Sequence, residues 1–219
     1  MKKYLPILKK CRLFDGIEDE DILKMLICLG ARVDVYDKKY TVMSEGSAAK
    51  YIGIVLSGAV RISHTDYYGN RSLLGTMSPS EVFAEAFACA QSATLPVDVS
   101  AAETSEIMII DCSHILHTCK NNCEFHQRLI FNLMRDIAQK TIIFHRKIEI
   151  TSKRTTRDKL MTYLSIMAKE TGTSIFEIPF DRQELADYLD VERSGLSSEI
   201  SKLRAEGIIE CEKNKFRLL

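Results

Sequence analysis

Residues 122 to about 150 run without a single Pro or Gly, and this stretch constrains the fold more than any other. Nothing in it breaks a helix, and at ~1.5 Å per residue such a helix extends ~40 Å. Ile130, Leu133, Ile137, Thr141, Phe144 and Ile148 recur at spacings of three and four. That spacing draws a seam rather than a broad apolar face. A narrow seam suits a partner helix, so it predicts a homodimer joined through residues 122–150. The alternative is a helix laid along its own domain.

The sequence changes style on either side. Before residue 31, Ile17–Leu29 places Ile22, Leu23, Met25, Leu26 and Leu29 at helical spacing. Residues 31–111 read instead as short strands punctuated by Gly: Arg32–Tyr36, Tyr51–Leu56, Ala59–Ser63, Val97–Ser100 and Glu106–Asp111. Gly69-Asn70 marks a turn between two such runs. Strands this short and numerous predict a barrel or β-roll. After the long helix, the polar, basic Thr151–Thr156 reads as a hinge. An amphipathic helix follows, carrying Leu160, Tyr163, Leu164 and Met167 and stopping at Gly172. The expected fold class is α+β in three parts. Residues 1–121 form a jelly-roll-like sensor domain, 122–150 the dimerisation helix and 151–219 a second domain.

The last forty residues carry the most specific pattern. Asp181 and Glu184 have capping-box spacing, and Leu185, Ala186 and Leu189 form the inner face of the helix they open. Asp190-Val191 makes a tight connection. A second helix runs from about Glu192 to Ala205 with Leu196, Ile200 and Leu203 inward, and Gly207 ends it. Ile208–Glu210 and Phe216–Leu218 are short strands joined through Lys213–Lys215. Two helices, a tight turn and a hairpin make a winged helix-turn-helix, whose second helix enters the DNA major groove. Its outer face offers Arg193, Ser194, Ser197, Ser198, Ser201 and Lys202. Arg193 can bond a guanine's O6 and N7 together. Arg182 and Gln183, at the start of the first helix, can hold phosphate.

Charge neither opposes nor dictates this reading. Thirty Lys and Arg balance thirty Asp and Glu, which excludes a generic polycation coating nucleic acid. Positive residues still cluster at Lys147–Lys159 and Arg193–Arg204. No apolar run approaches the roughly 20 residues needed to cross a membrane, and the first residues lack a signal peptide's apolar core, so the expected location is the cytoplasm. There the seven cysteines, Cys11, Cys28, Cys89, Cys112, Cys119, Cys123 and Cys211, read as reduced thiols. No nucleophile–base motif, Gly-rich phosphate loop or metal-ligand spacing points to an enzyme.

Three segments, Arg182–Leu189, Val191–Ser197 and Lys202–Ile209, resemble the Crp/Fnr family of bacterial transcription regulators. The likeness spans nearly the whole chain. Glu45-Gly46 and Leu56-Ser57-Gly58 sit where that family's cyclic-nucleotide-binding-like β-roll has its turn glycines. The long helix sits where the family dimerises. The resemblance implies a homodimeric regulator with an N-terminal sensor, a palindromic double-stranded DNA site and, for an activator, RNA polymerase as a further partner.

The departures from the family bear on the effector. Members that bind cyclic AMP carry Gly-Glu before a short helix and later an Arg that pairs with the phosphate. Here Ala84-Glu85-Ala86 stands at the first place and Pro96-Val97 at the second, without the Arg. A buried phosphate without a cation is costly, so the resemblance points to a small effector near Ala84, Glu85, Ala86, Pro96 and Val97 that is not cyclic AMP. Fnr-type iron–sulfur ligation needs closely spaced N-terminal Cys, and only Cys11 and Cys28 lie there. Haem would need a ligand among His64, His114, His117, His126 and His145. No cofactor or metal is expected. In the second helix, Ser194 and Ser198 replace the Glu and the second Arg of the best-known members, so the operator should differ from theirs. Two alternatives stay open: a constitutive DNA binder whose β-roll is a dimerisation scaffold, and a thiol-redox sensor using Cys119 and Cys123.

Overall fold

A computed structural model describes residues 1–68, 71–116 and 124–219. They divide into two compact units, Met1–Gln139 and Lys140–Leu219. The first begins with helices α1 (Leu5–Leu8) and α2 (Asp19–Cys28), then strands β1 (Arg32–Tyr36), β2 (Thr41–Met43), β3 (Tyr51–Ser57), β4 (Val60–Thr65), β5 (Arg71–Met77) and β6 (Val82–Phe83). Helix α3 (Glu85–Cys89), strands β7 (Asp98–Ala101) and β8 (Ser105–Asp111) and helix α4 (Cys112–Leu116) follow, then the long helix α5 (Glu124–Thr151).

Two four-stranded antiparallel sheets form the roll, in the orders β1-β8-β3-β6 and β2-β7-β4-β5. β3 and β8 are apolar on both faces because both faces are covered. Val55, Ile107 and Ile109 point into the roll with Val60, Val99, Phe83 and Leu95. Ile52, Ile54, Met108 and Ile110 point the other way, onto Ile22, Met25 and Leu26 of α2 and Leu129 and Leu133 of α5. Two glycines permit this closeness. A Cβ on Gly53 would lie 2.0 Å from the Phe83 ring. Gly58 has φ +76°, and a Cβ there would lie 2.6 Å from the Thr104 carbonyl oxygen. No side chain fits either place. The expected Gly69-Asn70 turn lies outside the described residues, although β4 and β5 pair from Val60–Met77 to Thr65–Arg71 as a hairpin requires.

The long helix forms, but its seam divides. Leu133 is buried in the first unit's core, with Ile130 and Ile137 packed against it. Thr141, Phe144 and Ile148 are exposed. A helix carries more than one stripe at this spacing, and the sequence alone merged two of them. One position along, Phe131, Met134, Ala138, Thr141, His145 and Ile148 keep the three-four spacing, and every one is exposed. Asn132 anchors the buried stripe, donating to the carbonyls of Leu13 and Asp15 at 3.0 and 2.8 Å.

The second unit contains the C-terminal part of α5, then α6 (Thr156–Thr171), β9 (Ile175–Glu177), α7 (Arg182–Leu189), α8 (Arg193–Ala205), β10 (Ile209–Glu212) and β11 (Lys215–Leu218). Thr151–Thr156 is therefore a turn inside this unit, not the hinge expected between domains. Ile150, just before it, is 1% exposed in the same core as Leu160. The hinge reading came from polarity, which a surface turn shares.

Candidate nucleic-acid interface

The helix-turn-helix is set by caps and a shared apolar interior. Thr155 caps α6 by accepting from the Asp158 N–H. Asp181 caps α7 by accepting from the Glu184 N–H at 2.8 Å, while the Asp181 N–H donates to Glu184 at 2.8 Å. This reciprocal pair is the capping box expected from the sequence. Asp190 turns the chain at φ +54°, and α8 starts three residues later. Leu185, Ala186 and Leu189 of α7 meet Leu196, Ile200 and Leu203 of α8 over Leu160, Tyr163 and Leu164 of α6. β9, which sequence reading missed for its shortness, completes a sheet in the order β10-β11-β9. Phe216 on β11 seals the core beside Phe176 of β9.

With that face buried, α8 must present its other face to solvent. Arg193, Ser194, Ser197, Ser198, Ser201 and Lys202 are all exposed there. Ser201 donates back to the Ser197 carbonyl at 3.0 Å. Gly195 has open space where a Cβ would stand, so the backbone of the first turn is unobstructed. Glu192 caps the helix without a side-chain hydrogen bond.

The two residues expected on α7 behave differently. Gln183 is exposed, its amide donating to Asp187 at 2.9 Å. Arg182 is half-buried: its guanidinium donates to the Lys213 carbonyl at 3.3 Å and lies 5.7 Å from the Phe216 ring centre. It ties the first helix to the wing. Lys213 and Lys215 at the wing tip are exposed. They were passed over as loop residues, though two cations in a hairpin turn were a signal.

Much of the basic stretch 147–159 is engaged internally. Lys147 donates to the Tyr188 carbonyl and lies over the Tyr188 ring, and burial pushes its ammonium pKa down. Arg157 donates twice to Glu206, at 3.0 and 2.5 Å, holding that carboxyl below the usual carboxylate range. Lys159 donates to the Asp190 carbonyl at 2.9 Å. These cations brace α5, α6, α7 and α8 against one another, and Lys153 and Arg154 remain exposed.

In the first unit the expected effector residues split. Ala84, Glu85 and Val97 are buried, while Ala86 and Pro96 are exposed. Ala84 precedes α3 at φ +63°, where the family pattern has Gly. An L-residue in that conformation costs roughly 1–2 kcal/mol. Cys11 is fully buried and Cys28 exposed, and among the described residues no cluster of three or more His, Cys, Asp or Glu could hold a metal. His126 is buried against the Ile115 carbonyl at 2.9 Å, and a ring nitrogen of His114 lies 3.0 Å from the Leu29 carbonyl. His117, Cys119 and Cys123 lie outside the described residues.

Residues 33–122 match the model of the cyclic nucleotide-binding domain, and residues 158–219 match that of the Crp-like helix-turn-helix domain. The chain belongs to the Crp/Fnr family. It is 22% identical over 188 residues to the transcriptional activator FnrL of Cereibacter sphaeroides, covering 81% of this chain and 72% of that one. Against the activator FnrA of Stutzerimonas stutzeri, identity is 21%, over 93% of this chain and 82% of the other. The fold is similar to DNR from Pseudomonas aeruginosa, with a TM-score of 0.53, 21% identity and coverage of 100% and 95%. It is also similar to the c-di-GMP-responsive regulator CLP from Xanthomonas campestris, with a TM-score of 0.55, 18% identity and coverage of 90% and 97%. This family member is a transcription regulator with a DNA-binding helix-turn-helix, and its curated relatives are transcriptional activators rather than enzymes. Among the described residues no helix is long and apolar enough to cross a membrane.

Proposed function

We propose that the protein binds a palindromic operator as a homodimer, with α8 in the major groove and affinity set by a small effector in the β-roll. The observation that carries this reading is the exposed polar face of α8, held outward by a fully apolar inner face. Arg193, at its first turn, reads guanine. Ser194, Ser197 and Ser198 contact bases or phosphates over a backbone that Gly195 leaves open. Lys202 and Gln183 hold phosphate, and Arg182 positions the wing. The exposed stripe from Phe131 to Ile148 supports the dimer, because six positions at three-four spacing offer a partner helix a continuous face.

The effector is not cyclic AMP. The sequence has no Arg between Arg71 and Arg128 to match the family's phosphate-pairing Arg, and Phe83, Ala84 and Leu95 occupy the roll's interior. Glu85, buried at the start of α3, is the residue through which a ligand would act. A ligand switches DNA affinity only by binding one state of the dimer more tightly than the other.

Selection of sites from random double-stranded DNA, with reduced protein and no added effector, tests the reading. Recovery of a palindrome with half-sites about one helical turn apart supports it. A purely asymmetric site, together with a monomer in analytical ultracentrifugation at micromolar concentration, refutes the dimer. Recovery with no effect of any metabolite on affinity favours a constitutive binder.

A further inference from the structure

Cys89 ends α3 and Cys112 begins α4. Their sulfur atoms lie 3.4 Å apart, although twenty-three positions separate them in sequence. A disulfide bond is about 2.05 Å long, so the remaining gap is one that side-chain rotation can close. The two thiols differ in access: Cys89 is partly exposed, whereas Cys112 is 2% exposed. A hydrogen bond from Cys112 favours the thiolate of Cys89, and the same contact with burial holds the Cys112 proton tightly. A thiolate within solvent's reach, backed by a sheltered thiol in contact, is the arrangement that two-step thiol oxidation needs. Cys11 is fully buried and Cys28 is exposed.

We propose that Cys89 and Cys112 form a peroxide-responsive dithiol–disulfide site, with Cys89 the nucleophile and Cys112 the resolving thiol. The Cys89 thiolate attacks one oxygen of hydrogen peroxide. The O–O bond breaks, and hydroxide leaves and takes up a proton as water. Cys89 is then a sulfenic acid. The Cys112 sulfur displaces its hydroxyl group, which departs with the Cys112 proton as a second water. Two thiols are oxidised to one disulfide and one peroxide is reduced to two waters. Thiol–disulfide exchange with a cellular dithiol reverses the bond. The bond fastens α3, which carries Glu85 at its start, to α4, the last described element before α5.

The test uses the full-length reduced protein treated with hydrogen peroxide at equal concentration, then alkylated and mapped by peptide mass spectrometry. The expected product joins the Cys89 and Cys112 peptides with loss of two hydrogens, and dithiothreitol separates them. In Cys112→Ala a dimedone adduct should collect on Cys89. In Cys89→Ala, Cys112 should stay alkylatable. The proposal is overturned if both thiols of the wild-type protein remain alkylatable while other cysteines oxidise, or if Cys89 bonds to a different cysteine. The wild-type map decides the matter even if a variant folds poorly. No arm uses DNA, so a failure of the operator reading would leave this result intact.

Discussion

The two units of the chain place their distinctive residues on opposite sides of their cores. In the second unit the apolar side chains of α7 and α8 turn inward and the chemistry turns outward, onto the exposed face from Arg193 to Lys202. In the first unit three of the candidate effector residues, Ala84, Glu85 and Val97, are themselves buried. An outward site can change residue by residue without disturbing the fold. An inward site cannot, because each change is also a packing change. A recognition surface on α8 would thus be free to drift toward a new operator, whereas a ligand site at Ala84, Glu85 and Val97 would be bound to the stability of the roll.

Core changes should separate the units most sharply. Leu203→Ala removes a fully buried side chain from the second unit and should cost about 2–5 kcal/mol. Denaturant unfolding should show a weakened second-unit transition and an unchanged first. If both weaken together, the units are not independent. Next in size is Gly53→Ala, which sets a methyl group 2.0 Å from the Phe83 ring. Overpacking of this kind costs about 1–3 kcal/mol, visible as a lower Tm for the first unit. An unchanged Tm would mean that Phe83 has room to move.

Arg193→Ala tests the outward side. It should weaken operator binding by about 1–3 kcal/mol and relax the preference for guanine at one position, with no change in Tm. A loss of stability instead would make Arg193 part of the fold. The smallest expected effect is Ala84→Gly. Relief of the left-handed backbone is worth roughly 1–2 kcal/mol, less the ~0.4–1 kcal/mol that Gly loses through the unfolded chain. A net gain of up to about 1 kcal/mol should appear in thermal unfolding. A loss would show that the Ala84 methyl group contributes more by packing than its backbone costs.

The same contrast explains what could be read from sequence. The helix-turn-helix was legible because its information is local: Asp181 and Glu184 cap, Leu185 to Leu203 repeat at helical spacing, and whatever remains faces out. The strands of the roll were legible wherever they were long enough to alternate or to stay apolar. β2, β6 and β9 were not, since two or three residues carry no period and only their pairing makes them strands. The seam of α5 was half legible. Spacing finds a stripe, but which stripe meets its own domain depends on where Asn132 and Leu133 land against the first unit. The contact between Cys89 and Cys112 had no signal at all, because it is made by α3 and α4 meeting across the fold.

The boundary between the compact units falls within α5 rather than at its end, and this dictates how the gene could be cut. A DNA-binding fragment begun at the turn before Thr156 would lose Ile150 from its core. It would also lose the Lys147 ammonium from the Tyr188 carbonyl and the Arg146 partner of Glu170. The shortest portable fragment starts near Lys140 and carries half a helix as a handle. That handle keeps Ile142, Ile143, Phe144 and Ile148 exposed, so a soluble fragment would need those four positions made polar.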